Sequence, residues 1–229
     1  MNGMPGGFVW CDLSAFNPSS AQTFYAAVLG WSFSPENEGY SIASTDSGAA
    51  AGIYEMPAKF RKIGMPSFWM SYIQVADVAR TVDAATRRGG KTEIAPTRLD
   101  DSGSFALIRD PLGAGFTVYD GDMGPGAIGR GARVRHALYV SEPRAVQDFY
   151  RSVFAWSDEE MQRVIEAPED LRGPYEFWGV HFGAEDLDRA EARILEAGGA
   201  VTGRFDLTGA PALLAADMDG AAFFVEAVV

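Results

Sequence analysis

The chain has 229 residues, of which 47% are hydrophobic and 12% aromatic, enough to bury substantial cores and to exclude intrinsic disorder. Its 31 acidic and 19 basic side chains give a formal charge of -12, which argues against nucleic acid and anionic membranes as partners, since both need a basic face. A single cysteine, Cys11, excludes an intrachain disulfide, and no apolar run approaches the roughly 18 residues of a membrane span, so a cytoplasmic protein is expected.

Residues 8–14, FVWCDLS, read as a strand in which Cys11 is a buried structural thiol. Asn17 or Ser19 caps the helix that follows, where Ala21, Phe24, Tyr25, Val28 and Leu29 form one apolar face and Gly30 ends the run. Short strand-like runs follow at 31–35, 39–44 and 49–56. Residues 57–66 form a connector with a basic cluster, Lys59, Arg61 and Lys62, that reads as a solvated loop or as the rim of an anionic ligand site. A second unit begins with the strand WMSYIQV, and Asp77 caps its helix, whose stripe is Val78, Val82 and Ala85. Gly89-Gly90 stop that helix, and three further strands close through the turn Asp110-Pro111-Leu112-Gly113. Residues 121–132 are Gly-rich, lack periodicity, and read as a linker. The third unit starts at Val134 and repeats the helical stripe with Val146, Phe149, Tyr150, Val153 and Phe154. In the fourth, Asp186 caps a helix with Leu187, Ala190, Ile194 and Leu195 on one face, and strands close through Asp217-Met218-Asp219-Gly220.

The halves echo each other. Phe24-Tyr25 and Phe149-Tyr150 lie 125 residues apart, as do Trp31 and Trp156. Trp69 and Trp178, Asp77 and Asp186, and Gly89 and Gly198 lie 109 apart. The pattern reads as a duplication with 16 residues deleted between Trp156 and Trp178. The third unit is therefore expected to have lost a hairpin or compressed its strands into a stretch such as MQRVIEA. Strand, helix and three strands per unit predict an α+β fold of four βαβββ modules, the third shortened, in curled mixed sheets with helices on one face.

The FY…LGW helix, the V-x-D-V helix start with its closing Gly-Gly and the DP-x-G turn, in order and repeated, resemble the vicinal-oxygen-chelate superfamily. That group takes in glyoxalases, bleomycin- and fosfomycin-resistance proteins and extradiol dioxygenases. The resemblance covers nearly the whole chain and implies two glyoxalase-like domains, at 7–120 and 133–229, joined by the 121–132 linker. The excess of Arg over Lys adds a hint of a high-GC bacterial source.

Members of that superfamily bind a divalent metal through His or Glu on the first strand of a module, a His opening the next module and a Glu on its last strand. Carried over one position at a time, these fall on Trp10, Met70 and Thr117, and in the second half on Arg135, Gly179 and Phe224. None of these six suits the usual metals of the superfamily, because Trp and Phe offer no lone pair, Met is soft and Arg is permanently charged. The expectation is a member without metal or other cofactor. Residues two along each strand share the same face, which adds Asp12, Tyr72, Tyr119, His181 and Glu226. Trp10, Met70, Tyr72, Thr117, Tyr119, Arg135 and Phe224 are then candidates for substrate binding. Asp12, His181 and Glu226 are candidates for acid–base catalysis, with a carboxylate fixing the His181 tautomer. Asp12 is also a candidate ion-pair partner for Arg135, the tyrosine hydroxyls for backbone carbonyls, and several of these side chains for simple packing. His136 falls on the opposite face as a structural histidine.

The expected function is binding of a small apolar or aromatic molecule, polyketide- or quinone-like, for isomerisation, cyclisation or lyase chemistry. The alternatives are a drug-sequestering protein without catalysis and, if the strand register differs, a metal-dependent glyoxalase or dioxygenase. A monomer or a homodimer is compatible with two joined halves.

Overall fold

The computed structural model describes residues 5–37, 39–99, 102–124, 126–173, 176–206 and 209–228. The first module is β1 (Phe8–Ala15), α1 (Pro18–Leu29), β2 (Ser32–Asn37), β3 (Tyr40–Thr45) and β4 (Gly48–Glu55). A short helix, α2 (Ala58–Lys62), leads to the second module: β5 (Phe68–Gln74), α3 (Val78–Arg87), β6 (Lys91–Leu99), β7 (Gly103–Arg109) and β8 (Gly115–Tyr119). The third is β9 (Arg133–Val140), α4 (Arg144–Phe154), the single-turn α5 (Asp158–Met161) and β10 (Val164–Glu166). The fourth is β11 (Phe177–Ala184), α6 (Leu187–Glu196), β12 (Ala200–Phe205), β13 (Ala212–Ala216) and β14 (Ala222–Ala227). The strands belong to two open, mixed sheets. Among the described residues no helix is long and apolar enough to cross a membrane.

The helix ends follow from their residue types. Asn17 accepts from the Ser20 N–H at 3.2 Å and so is the cap of α1, while Gly30 leaves the helix with φ 75°. Asp77 and Asp186 cap α3 and α6 by accepting from the Arg80 and Arg189 N–H groups at 2.9 and 3.0 Å.

In every module the last strand runs parallel to the first: β4 on β1, β8 on β5, β10 on β9 and β14 on β11. The third module therefore keeps its outer two strands and lacks the intervening hairpin, which accounts for the shortening expected between Trp156 and Trp178.

The chain forms two compact units, each drawing a module from each half. One holds Met70–Gly124 and His136–Trp178, with the start of β1 up to Val9. The other holds Trp10–Trp69, Pro125–Arg135 and the chain from Gly179 on. In the first, α3 packs with α4 over a core that includes Ile73, Val82, Phe116, Val118, Leu138 and Phe149. In the second, α1 packs with α6 over Cys11, Leu13, Phe24, Ile53, Phe182 and Val225. Each core is threaded by one polar chain. In the first unit Trp178 Nε1 donates to Tyr150 Oη (3.1 Å), which donates to Asp110 Oδ2 (2.9 Å), while Asp110 Oδ1 accepts from the Leu112 and Ala114 N–H groups. In the second, Trp69 donates to Tyr25 (3.0 Å), Tyr25 to Asp217 (3.2 Å), and Asp217 accepts from the Asp219 and Ala221 N–H groups. The repeated Phe-Tyr, Trp and Asp-turn motifs are thus one buried network made twice. Every polar atom in it named here has a partner, as burial demands.

Residues 126–132 are held against the second unit rather than loose. The Trp31 indole donates to the Gly131 carbonyl (2.7 Å), Ala127 N–H to Ala49 (2.8 Å) and Gly131 N–H to Gly183 (2.7 Å).

Candidate functional site

Strand alternation sorts every candidate onto one kind of surface. On β1, Cys11, Leu13 and Ala15 enter the core, so Trp10 and Asp12 face away from it. The same split sets Met70 and Tyr72 against Ile73 on β5, and Thr117 and Tyr119 against Phe116 and Val118 on β8. Arg135 opposes Leu138 and Val140 on β9, His181 opposes Val180 and Phe182 on β11, and Phe224 and Glu226 oppose Phe223 and Val225 on β14. All ten lie opposite the helices. His136 points the other way: it is buried, its Nδ1 lies 2.7 Å from Ser71 Oγ, and its ring stacks on Phe8.

Two clusters form in the second unit. In the first, Asp12 Oδ1 accepts from Trp10 Nε1 at 2.7 Å and from Tyr40 Oη at 2.6 Å, and Tyr40 stacks against Tyr54. Burial and the Asp12 charge push the Tyr40 hydroxyl far above its ordinary range, so it stays protonated and donates. Burial also pushes Tyr54 up to about 12. Gly52, opposite Asp12 on β4, makes room: a Cβ there would stand 2.0 Å from Tyr40 Oη and 2.3 Å from Asp12 Oδ1. Tyr40, Tyr54 and Gly52 are absent from the sequence-derived candidates, although counting alternate residues along GYSIAS and AAAGIYEM would have placed them beside Asp12.

In the second cluster Glu226 is held from two sides. Arg135 makes a forked contact, with Nε 3.0 Å from Oε2 and an outer nitrogen 3.0 Å from Oε1, and His181 Nδ1 lies 2.8 Å from Oε2. The His181 ring stacks on Phe224 at 4.4 Å. Burial pushes the Glu226 carboxyl up, but the His181 and Arg135 hydrogen bonds and charges outweigh it and bring it down to about 2. Burial pushes His181 below its usual range, against the pull of Glu226. At neutral pH the pair is an ionised carboxylate and a neutral imidazole. The carboxylate can only accept, so Nδ1 carries the proton and Nε2 is the basic nitrogen.

The other candidates lie in the first unit, where Tyr72 pairs in register with Thr117 across β5 and β8. Tyr119 donates to the Ser102 carbonyl, a structural use of its hydroxyl. Met70 and Tyr72 are half-buried, Thr117 and Tyr119 buried.

Residues 7–118 match the sequence model of the Glyoxalase/Bleomycin resistance protein/Dioxygenase superfamily. Over these residues, about half of the chain, the sequence is similar to that of this superfamily. The chain is 29% identical over 216 residues to the proposed glyoxylase CFP32 of Mycobacterium bovis and of Mycobacterium tuberculosis, covering 84% of this chain and 82% of theirs. Two solved structures share the fold. The Mn(II)-bound glyoxalase from Novosphingobium aromaticivorans has a TM-score of 0.64 at 14% identity, over 97% of this chain and 82% of that one. The 2,2',3-trihydroxybiphenyl 1,2-dioxygenase of Sphingomonas wittichii has 0.63 at 11%, over 98% and 91%.

The Novosphingobium aromaticivorans glyoxalase is Mn(II)-bound, and the side chains at the positions that the resemblance marks for ligands here are poor metal donors. Where the resemblance would put ligands, the Trp10 indole donates to Asp12, and Arg135 is a cation bound to Glu226. Among the described residues no group of three or more His, Cys, Asp or Glu side chains could hold a metal ion. Cys11 enters the core with Leu13 and Ala15, on the other face of β1 from these positions, and burial pushes its thiol up to about 12.

Proposed function

We propose that this protein binds a small apolar or aromatic molecule on the strand face opposite α1 and α6 and moves a proton on it without a metal. The observation that carries the reading is the buried His181–Glu226 pair, a neutral imidazole whose tautomer a carboxylate sets, on the same strand face as Phe224. A neutral imidazole of lowered pKa takes a proton from an acidic C–H or O–H at Nε2 and returns it to another atom of the same molecule, as isomerisation, cyclisation or elimination requires. Glu226 stabilises the imidazolium that forms in between, and Arg135 keeps Glu226 ionised while doing so. Trp10, Tyr40 and Tyr54 around Asp12 offer an aromatic wall with one carboxylate, in keeping with a quinone- or polyketide-like ligand.

The test is thermal unfolding against a panel of quinones, hydroxylated aromatics and polyketide-like compounds, followed by product analysis. A ligand bound only by the native state raises stability by about 2.7 kcal/mol at a hundredfold excess over Kd. The proposal expects saturable stabilisation and turnover that His181→Ala abolishes while binding persists. Stabilisation without product under any condition would instead support sequestration. No stabilisation by any compound would contradict both.

A further inference from the structure

The geometry points to a second binding site in the same unit, for a small oxyanion, in a cleft between the C-terminal end of α1 and the start of α6. It goes beyond the proposed function and shares no residue with it. The cleft has a volume of about 50 Å³ and is lined by Leu29, Arg130, Gly183, Glu185, Arg189 and Arg193 among others. A water needs about 10–15 Å³ of such space, and small-molecule sites take roughly 300–1,000 Å³. The cleft therefore fits a few waters or one anionic group, not a whole metabolite.

Its charge is unusual for a chain with 31 acidic and 19 basic residues. Arg61, Arg109 and Arg204 elsewhere each reach a carboxylate. Among the described residues Arg130, Arg189 and Arg193 form no ion pair, although Glu185 and Asp186 also line the cleft. Asp186 is committed as the cap of α6 through the Arg189 N–H. Arg130 lies over the end of α1, its guanidinium 3.3 Å from where a Cβ of Gly30 would stand, so this glycine leaves space for it. Three guanidinium groups around one small cleft repel each other unless an anion lies between them, and their planar donors suit phosphate or carboxylate oxygens. The site assigned here takes a tetrahedral or planar oxyanion, either free phosphate or the phosphate of an organic molecule whose remainder stays outside.

The experiment titrates inorganic phosphate and, separately, phenyl phosphate into the full chain and follows Tm, with sodium chloride at matched ionic strength as reference. The expected result is a saturable rise in Tm with phosphate that chloride does not reproduce. Arg193→Gln and Arg130→Gln each weaken the midpoint at least tenfold, whereas Arg204→Gln, outside the cleft, leaves it unchanged. Tighter binding of phenyl phosphate assigns the group to an organic phosphomonoester, and equal binding assigns it to the free ion. No saturable rise, an equal rise with chloride, or a midpoint unmoved in both cleft variants overturns the site.

Discussion

Tyr25 and Tyr150 occupy equivalent places in the two units and do the same thing. Each stacks on a Trp at 5.5 and 5.0 Å, accepts from a second Trp and donates to a buried Asp. The strand faces opposite the helices show no such agreement. Tyr72 of the first unit corresponds to His181 of the second, and Tyr119, counted from Asp110, to Glu226, counted from Asp217. The helix-side residues are shared because each unit must close the same kind of core, and a buried Tyr, Asp or Trp tolerates no loss of partner. The opposite faces have no such common requirement, and among the described residues only that of the second unit assembles an imidazole on a carboxylate.

The largest expected effect breaks the shared part. Asp217→Ala and Asp110→Ala each strip a buried tyrosine hydroxyl and two backbone N–H groups of their acceptor, at about 3 kcal/mol each. Urea unfolding should give losses within about 1 kcal/mol of each other, and a large inequality would break the equivalence. Gly52→Ala attacks the part that is not shared. Its Cβ would displace Tyr40 or Asp12, costing about 2 kcal/mol, and tyrosine fluorescence of the native state should change with it.

Acid unfolding separates the same regions by sign. The Glu226 carboxyl is held down at about 2 against an ordinary 4.5, so its stabilisation is present above pH 4.5 and is lost as pH falls towards 2. Asp110 and Asp217 are raised by burial, so their contribution is complete below the unfolded-state pKa and is lost as pH rises through the folded one. Glu226→Gln should therefore flatten the acid limb of a stability-versus-pH curve, whereas Asp110→Asn and Asp217→Asn should steepen it. The smallest effect concerns Cys11, fully buried and pushed up to about 12. Native protein should resist iodoacetamide at pH 8 by mass spectrometry and react only when unfolded.

Much of this was legible in the sequence. The family resemblance put Arg135 at a ligand position, and strand alternation from such positions put Asp12, His181 and Glu226 on the same face, which lies away from the helices. The repeat spacing located the lost hairpin. Less legible was which modules pack together, since FVWCDLS and RVRHALYV do not state their partners, and the Tyr25–Asp217 and Tyr150–Asp110 bonds span 192 and 40 residues. Tyr40 escaped notice because it opens a short, half-exposed strand, and its role depends on Gly52 having no side chain. The sequence offered Asp12 as the ion-pair partner of Arg135, and only the three-dimensional register shows the fork of Arg135 on Glu226.

The most direct test is the imidazole ¹⁵N spectrum of the protein as purified, which contains only two histidines, His136 and His181. The account predicts that His181 is neutral at pH 7, carries its proton on Nδ1, takes up a second only below its usual range, and is unchanged by EDTA. A His181 that is cationic at pH 7, or whose signals move when a bound metal is stripped, would contradict a metal-free acid–base site.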